Sequence, residues 1–437
     1  MNSGNGDWAY LQIAVPASPG LRGLEIETYV CYARKYLLRG GPVDLALQEL
    51  RLSDMVTAGT NTGNGQIFQR AVLSFVIIFF GSQHGQVSII TRGYAMHGGA
   101  LKQLNHALSD PKCYTRDDVI LSVVTLALLE CFVPTGPKYY LKHMVGLEKL
   151  LELRGPAAHY SPKSFELHKG VRRMILFAAL STRKPSILAR DEWKTVFRND
   201  CSDEEMEEQF LFDALADCTV LVANCDEVLA NWNLNSENVA DQRDKVKRAT
   251  LDLLKRLQAW RRRWDNDGRN SHVETPATSI ELQLIQETWG NTAPPFRTVF
   301  KFANDSAATM LTFYNTALIY ALQVLASLPL GNSGIQLNKV STILLPEGPE
   351  PSQSFRSNEK DEYTTAERSA ALEVCRCISY NLVRKSRLDS GSLTVVHLAV
   401  KTAWMILRRN ESLEGRWMTN LLKTKSRGVV AKGLWVD

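Results

Sequence analysis

The stretch YLKHMVGLEKLLELRGP, Tyr140 to Pro156, combines helical spacing with a hard stop. Leu141, Met144, Leu147 and Leu151 recur at the three- and four-residue intervals of one helix face, while His143 lies nearer Leu150 on another. Lys142, Lys149 and Glu152 mark a polar stripe. Apolar residues on two sides predict a helix sandwiched between neighbours, with Gly146 as a notch where one of them can approach. Gly155-Pro156 predicts the end of the helix, because glycine accepts a left-handed cap and proline cannot continue the turn. Arg154 favours the same end by its charge. His143 is expected to be an interhelical histidine satisfied by one partner rather than a catalyst.

Outward from this stretch, helical periodicity dominates from about Gly23. It predicts helices over 23–39, 43–52, 66–83, 86–109, 116–132, 138–154, 162–182, 203–231, 238–265, 279–289, 298–327, 364–386, 392–409 and 411–424. Thr115, Ser202, Thr278 and Thr364 each stand three residues before an acid, the pattern of a capping box, and Ser161-Pro162 sets a serine cap before a first-turn proline. No strand alternation competes, so the predicted fold class is all-α, a large multi-helix array. Three stretches interrupt it: 58–65, 265–278 and 328–362. The last is rich in Pro, Ser, Gly and acids and is expected to be a mobile loop, since it cannot bury enough apolar surface to offset its ordering entropy. Residues 1–22 are expected to form a flexible lead, and 23–437 one all-α domain.

The chain has 437 residues, 45% of them hydrophobic, which is ample for a large core. Its formal net charge of +5 is too small, over this length, to point to nucleic acid. The first residues lack the basic and apolar regions of a secretory signal, so an intracellular protein is expected. The apolar run from Ala71 to Gly81 falls short of the ~20 residues that cross a bilayer, and Val119 to Val133 contains Glu130. Both read as buried helices, and no membrane partner is expected.

Candidate chemistry is sparse. The eight cysteines are scattered, and Cys375 and Cys377 would point to different sides of a helix. Cys218 and Cys225 sit two turns apart, too far for one metal or a disulfide. They read as small buried apolar residues, and no metal or cofactor is expected. Residues 263–274 partly match a calcium loop, but Arg263 stands where the first carboxylate ligand is required. Neither Gly-Asn-Gly continues into a phosphate-binding loop, and Asp117 and Asp118 read as dipole partners of the following helix. The cluster WRRRW, Trp260 to Trp264, reads as a solvated helix end flanked by two packing tryptophans, and Lys423, Lys425, Arg427 and Lys432 make a basic tail.

Three pieces in order, MHGGALKQLNHALSDPKCYTRDDVILSVVTLALLECF, the Tyr140 stretch, and MILFAALSTRKPSILARDEW, resemble the regulatory domain of fungal-specific zinc-cluster transcription factors. The residues carrying the likeness include Glu130, His143, Gly146, Arg154, Gly155, Pro156, Arg183, Pro185 and Trp193. Later pieces around Leu257–Trp264, Phe302–Tyr320 and Ala371–Leu382 extend it over most of the chain. The resemblance implies a nuclear, non-enzymatic regulator of metabolic or secondary-metabolite genes. Its helical domain would contact other transcription factors or coregulators, a second copy, or a small effector. Such factors carry a six-cysteine zinc cluster, whereas Cys31 is the only cysteine here before Cys113, so DNA contact is expected only indirectly or through a missing module. The rival expectation is an all-α enzyme in which Glu130 and His143 meet as acid and base.

Overall fold

The computed structural model describes residues 21–38, 42–48, 66–136, 138–159, 162–198, 202–234, 237–276, 296, 298–329, 359–385, 393–410 and 412–423. The helices are α1 (Leu21–Ala33), α2 (Pro42–Gln48), α3 (Ile67–His84), α4 (Val87–Leu108), α5 (Asp117–Phe132), α6 (Tyr139–Arg154) and α7 (Pro162–Thr182). They continue with α8 (Asp191–Arg198), α9 (Asp203–Asn231), α10 (Glu237–Asn266), α11 (Asp305–Ser327), α12 (Glu359–Lys385), α13 (Leu393–Leu407) and α14 (Leu413–Lys423). Among the described residues the protein is all-α apart from one two-stranded antiparallel sheet, β1 (His272–Pro276) with β2 (Thr298–Phe302), in which His272 faces Phe302.

One apolar cluster runs from Tyr29 on α1 to Met418 on α14. Its two densest parts form around the helices whose apolar residues encircle the axis. In the first, α3 packs against α1, α4 and α5; in the second, α11 packs against α9, α10, α12 and α13. Both α3 and α11 are long and apolar enough to cross a membrane, but 67% and 89% of their apolar windows are buried inside the protein. The α3–α4 hairpin closes tightly at two glycines: a Cβ on Gly93 would stand 2.5 Å from Ile78 Cγ1, and one on Gly81 would stand 2.9 Å from Ile90 Cγ1.

Several boundaries differ from the sequence expectation. The helix expected over 298–327 begins at Asp305, where Asn304 accepts a hydrogen bond from Ala307 N, and Thr298–Phe302 is a strand instead. Val299, Phe300 and Phe302 are buried and Lys301 is exposed, an alternation too short to compete with the helical period that follows. The stretch Asp191–Arg198 forms a short helix of its own. Thr115 does not cap α5, whose N-cap is Arg116, and Thr364 lies inside α12, bonding back to Lys360 O. Residues 359–362, expected in the mobile loop, are the first turn of α12, while Leu21 and Arg22 of the expected lead belong to α1. The Ser202 box forms as expected, with Ser202 and Glu205 bonding reciprocally. The predicted helix 279–289, the cap at Thr278 and the basic tail beyond Lys423 lie outside the described residues.

Candidate functional site

The residues singled out by the sequence lie on α5, on α6 and in the segment 183–193, which α6 holds through Glu148 and Glu152. Helix α6 buries Tyr140, Met144, Leu147, Leu150 and Leu151 in one continuous arc against α5 and α7, rather than two separate sides. Its outer side exposes Val145 and Leu153. Gly146 lies on that exposed side, and a Cβ added there would meet nothing within 4 Å, so it is not the expected notch. His143 lies within this arc, between Leu147 and Leu150 around the helix, and is half-buried.

Glu130, near the end of α5, is 4% exposed. Its two carboxylate oxygens accept hydrogen bonds from Thr135 N at 2.8 Å and Thr135 Oγ1 at 2.5 Å. The carboxylate therefore fastens the turn that leads from α5 into α6. His143 on α6 and His97 on α4 both lie within electrostatic reach of Glu130, and of each other. Burial pushes both imidazoles below their ordinary value, and the Glu130 charge offsets part of that; His97 lowers His143 further. Tyr94, in ring contact with His97, is pushed up by burial and by the same carboxylate. The structure thus brings the expected acid and base into one neighbourhood, together with His97 and Tyr94, which sequence reasoning missed.

The ends of α6 and α7 are set by backbone geometry. Gly155 has φ 78° and ψ 157°, a region open only to glycine, and its N–H closes the helix on Leu151 O at 3.0 Å. This is a positive-φ stop, but with extended ψ rather than the left-handed helical cap expected. Pro156 then opens a single 3-10 turn. Arg154 bonds Asp117 at 2.5 Å, tying the last turn of α6 to the first turn of α5. Arg183 takes φ 55° just past α7, and Lys184 N bonds Ala179 O at 3.0 Å. With Pro185 following, the chain cannot continue as helix. Arg183 is exposed and makes two 2.6 Å bonds to Asp226 on α9. Trp193 is buried on α8, edge-on to His168.

Two acids on α6 hold this segment in place: Glu148, which sequence reasoning passed over, and Glu152, which it placed in the polar stripe. Glu148 Oε1 accepts from Ser186 Oγ at 2.6 Å and Ile187 N at 2.9 Å, and Glu152 pairs with Arg190 at 2.8 Å. Their four-residue spacing on one helix face was the available signal, but their partners lie more than thirty residues downstream.

The other candidates take structural places. Cys218 and Cys225 are buried and donate to Ala317 O and Val324 O on α11, and Cys375 and Cys377 are both buried on α12. Burial pushes these thiols up. Among the described residues no group of three His, Cys, Asp or Glu side chains is placed to hold a metal ion. Asp267 of the calcium-like loop pairs with Arg269. In WRRRW, Trp260 and Trp264 are buried, and Arg261 and Arg263 reach Glu373 and Glu207. An open groove of about 560 Å³ lies along α1, lined by Leu24, Cys31, Tyr32 and Tyr36 among others.

What this geometry builds is a helical domain in which acids and arginines fasten helices to one another and Cys131, Cys218, Cys225, Cys375 and Cys377 are buried packing groups. Residues 64–346 match the family model described as the fungal specific transcription factor domain, and the chain belongs to that family. It is also similar to an uncharacterized protein of Emericella nidulans, with 28% identity over 129 residues. That match covers 30% of this chain and 28% of the relative's length. No solved structure matches the chain.

Proposed function

We propose that this chain is a non-enzymatic regulator of transcription that controls metabolic or secondary-metabolite genes, acting in the nucleus through contacts of its helical domain with partner factors, a second copy or a small effector. The observation that carries this reading is the family match over residues 64–346. The cysteines of this sequence do not make a six-cysteine cluster, so DNA contact falls to a partner factor or to a zinc-cluster segment encoded outside it. Deleting and overexpressing the gene, with transcript profiling and a fluorescent tag, tests the proposal. A coordinated shift in one set of metabolic transcripts and nuclear fluorescence are expected. Unchanged transcripts, with a substrate converted by the purified protein, would sink it.

The enzymatic alternative keeps one favourable observation, that His143 lies within electrostatic reach of Glu130. Against it, both Glu130 oxygens are already engaged by Thr135. Glu130→Gln and His143→Gln variants that leave transcript changes intact would remove its residues.

A further inference from the structure

Helix α10 carries nine Lys and Arg against five Asp and Glu, most of the surplus positive charge of the whole chain. Its buried side, with Leu253, Leu257, Trp260 and Trp264, faces the core against α9 and α11. On the opposite side Arg248, Lys255 and Arg262 are exposed and stand seven residues apart. Seven residues are nearly two full turns, so the three side chains leave the helix in almost one line, with steps of ~10.5 Å.

These three differ from the cations around them. Arg243 pairs with Asp244, Lys245 with Asp241, Arg256 with Asp252 and Asp217, Arg261 with Asp265 and Glu373, and Arg263 with Glu207. The carboxylates of α10 from Asp241 onward are thereby engaged, and Arg248, Lys255 and Arg262 have no carboxylate partner among the described residues. Between the last two lies exposed Ala259, which leaves room for a close approach.

We infer that this stripe is a docking face for an acidic α-helix of a partner protein, one bearing carboxylates at every seventh position. Charge supplies the attraction, and spacing supplies the choice of partner. A straight helix with the same seven-residue period keeps all three ion pairs in register along its length. Phosphates of a DNA strand advance about 3.4 Å along the axis each and wind away from a straight line, so few of them meet all three cations. Three weak exposed pairs acting together make contact that is brief and salt-sensitive, as suits a regulatory encounter. The inference extends the partner side of the proposed function without resting on it.

The full chain would be titrated at low ionic strength with three fluorescent probes: a 22-residue helical peptide with Glu at every seventh position, an isomer with the same Glu residues spread around the helix, and a 20-base-pair DNA duplex. The seven-spaced peptide is expected to bind, the isomer several-fold more weakly, and the R248E/K255E/R262E variant to lose about tenfold in affinity for it. Should the reversed variant fail to fold by circular dichroism, R248Q/K255Q/R262Q replaces it, with a smaller loss expected in the same direction. Equal binding of the two peptides, tighter binding of DNA, no binding, or an unchanged variant would each overturn the inference. Transcript profiling stays a separate readout, so loss of the docking face and loss of the regulatory role are distinguishable.

Discussion

Glu148, in the middle of α6, reaches across to Ser186, 38 residues downstream, and one carboxylate oxygen accepts both the Ser186 hydroxyl at 2.6 Å and the Ile187 backbone N–H at 2.9 Å. Ser186 N in turn donates to Thr219 Oγ1 on α9 at 2.9 Å. A single side chain thus starts the 3-10 turn at 187–189 and couples α6 to α9.

Glu148→Ala should cost about 2 kcal/mol, because it leaves the Ser186 hydroxyl and the Ile187 N–H without an acceptor. Glu148→Gln should not. Burial pushes the Glu148 carboxyl above its ordinary value of 4.5, opposed by its bonds from Ser186 and Ile187. The folded chain then holds this proton more tightly than the unfolded chain. Its contribution is full below 4.5 and declines as pH rises through the raised folded value. Glutamine keeps an acceptor oxygen and removes that decline, so at pH 7 its urea midpoint should equal or exceed that of the parent, while alanine lies well below both.

Two glycines of the Tyr140 stretch should respond in opposite directions. Gly155 sits at φ 78° and ψ 157°, where a side chain is strained, so Gly155→Ala should cost about 1–3 kcal/mol. Gly146 is a helical, exposed position with open space around its Cα, and Gly146→Ala should stabilise by about 0.5–1 kcal/mol. Thermal melts of the two variants check the pair, and melting shifts of the same sign would contradict the assigned geometry.

The local rules carried much of this architecture. The 3.6-residue period located the helices, the serine–glutamate pair at 202–205 marked the start of α9, and glycine followed by proline marked the end of α6. What the period could not express was pairing between distant segments. Strand β1 is mostly exposed and gains its ladder only from β2, two dozen residues on, so neither has a strong local signature. Glu152 looked like a solvent-facing residue, and Glu148 gave no signal, because Ser186 and Arg190 are their neighbours only after the 186–190 segment has folded back onto α6. Gly146 misled for a related reason: glycine permits a close approach, but only the packing shows whether a neighbour uses it.

Acidification should weaken the α4–α5–α6 junction through its histidines. His97 and His143 sit below their ordinary 6.5, from burial first, with Glu130 opposing and His97 adding to the shift of His143. The unfolded chain binds these protons more readily, so stability is full above 6.5 and falls as pH drops through 6.5 toward the lowered folded values. Urea midpoints measured from pH 7.5 to pH 5 should fall for the parent and fall less for a His97→Gln/His143→Gln variant. Parallel slopes would mean that the histidines are not the titrating groups.

The middle of the arginine cluster also gives a prediction about charge burial. Arg261 makes two bonds to Glu373 on α12, at 3.0 and 3.1 Å, and Asn315 donates to the same carboxylate at 2.6 Å. Burial alone would lower Arg261, but the Glu373 charge outweighs it and holds the guanidinium firmly protonated. Both side chains are about a quarter exposed (23%), so solvent screens part of the attraction. Glu373→Ala should still cost about 1–2 kcal/mol, because it leaves Arg261 with Asp265 alone and the Asn315 amide with Leu311 O alone. Replacing both partners, as Arg261→Met/Glu373→Met, should recover most of that loss, since no uncompensated charge remains. A double-mutant cycle from urea unfolding measures this. If the double variant is as unstable as the sum of the two single ones, the pair is not coupled, and Arg261 is held by its stacking near Trp264 and Tyr314 instead.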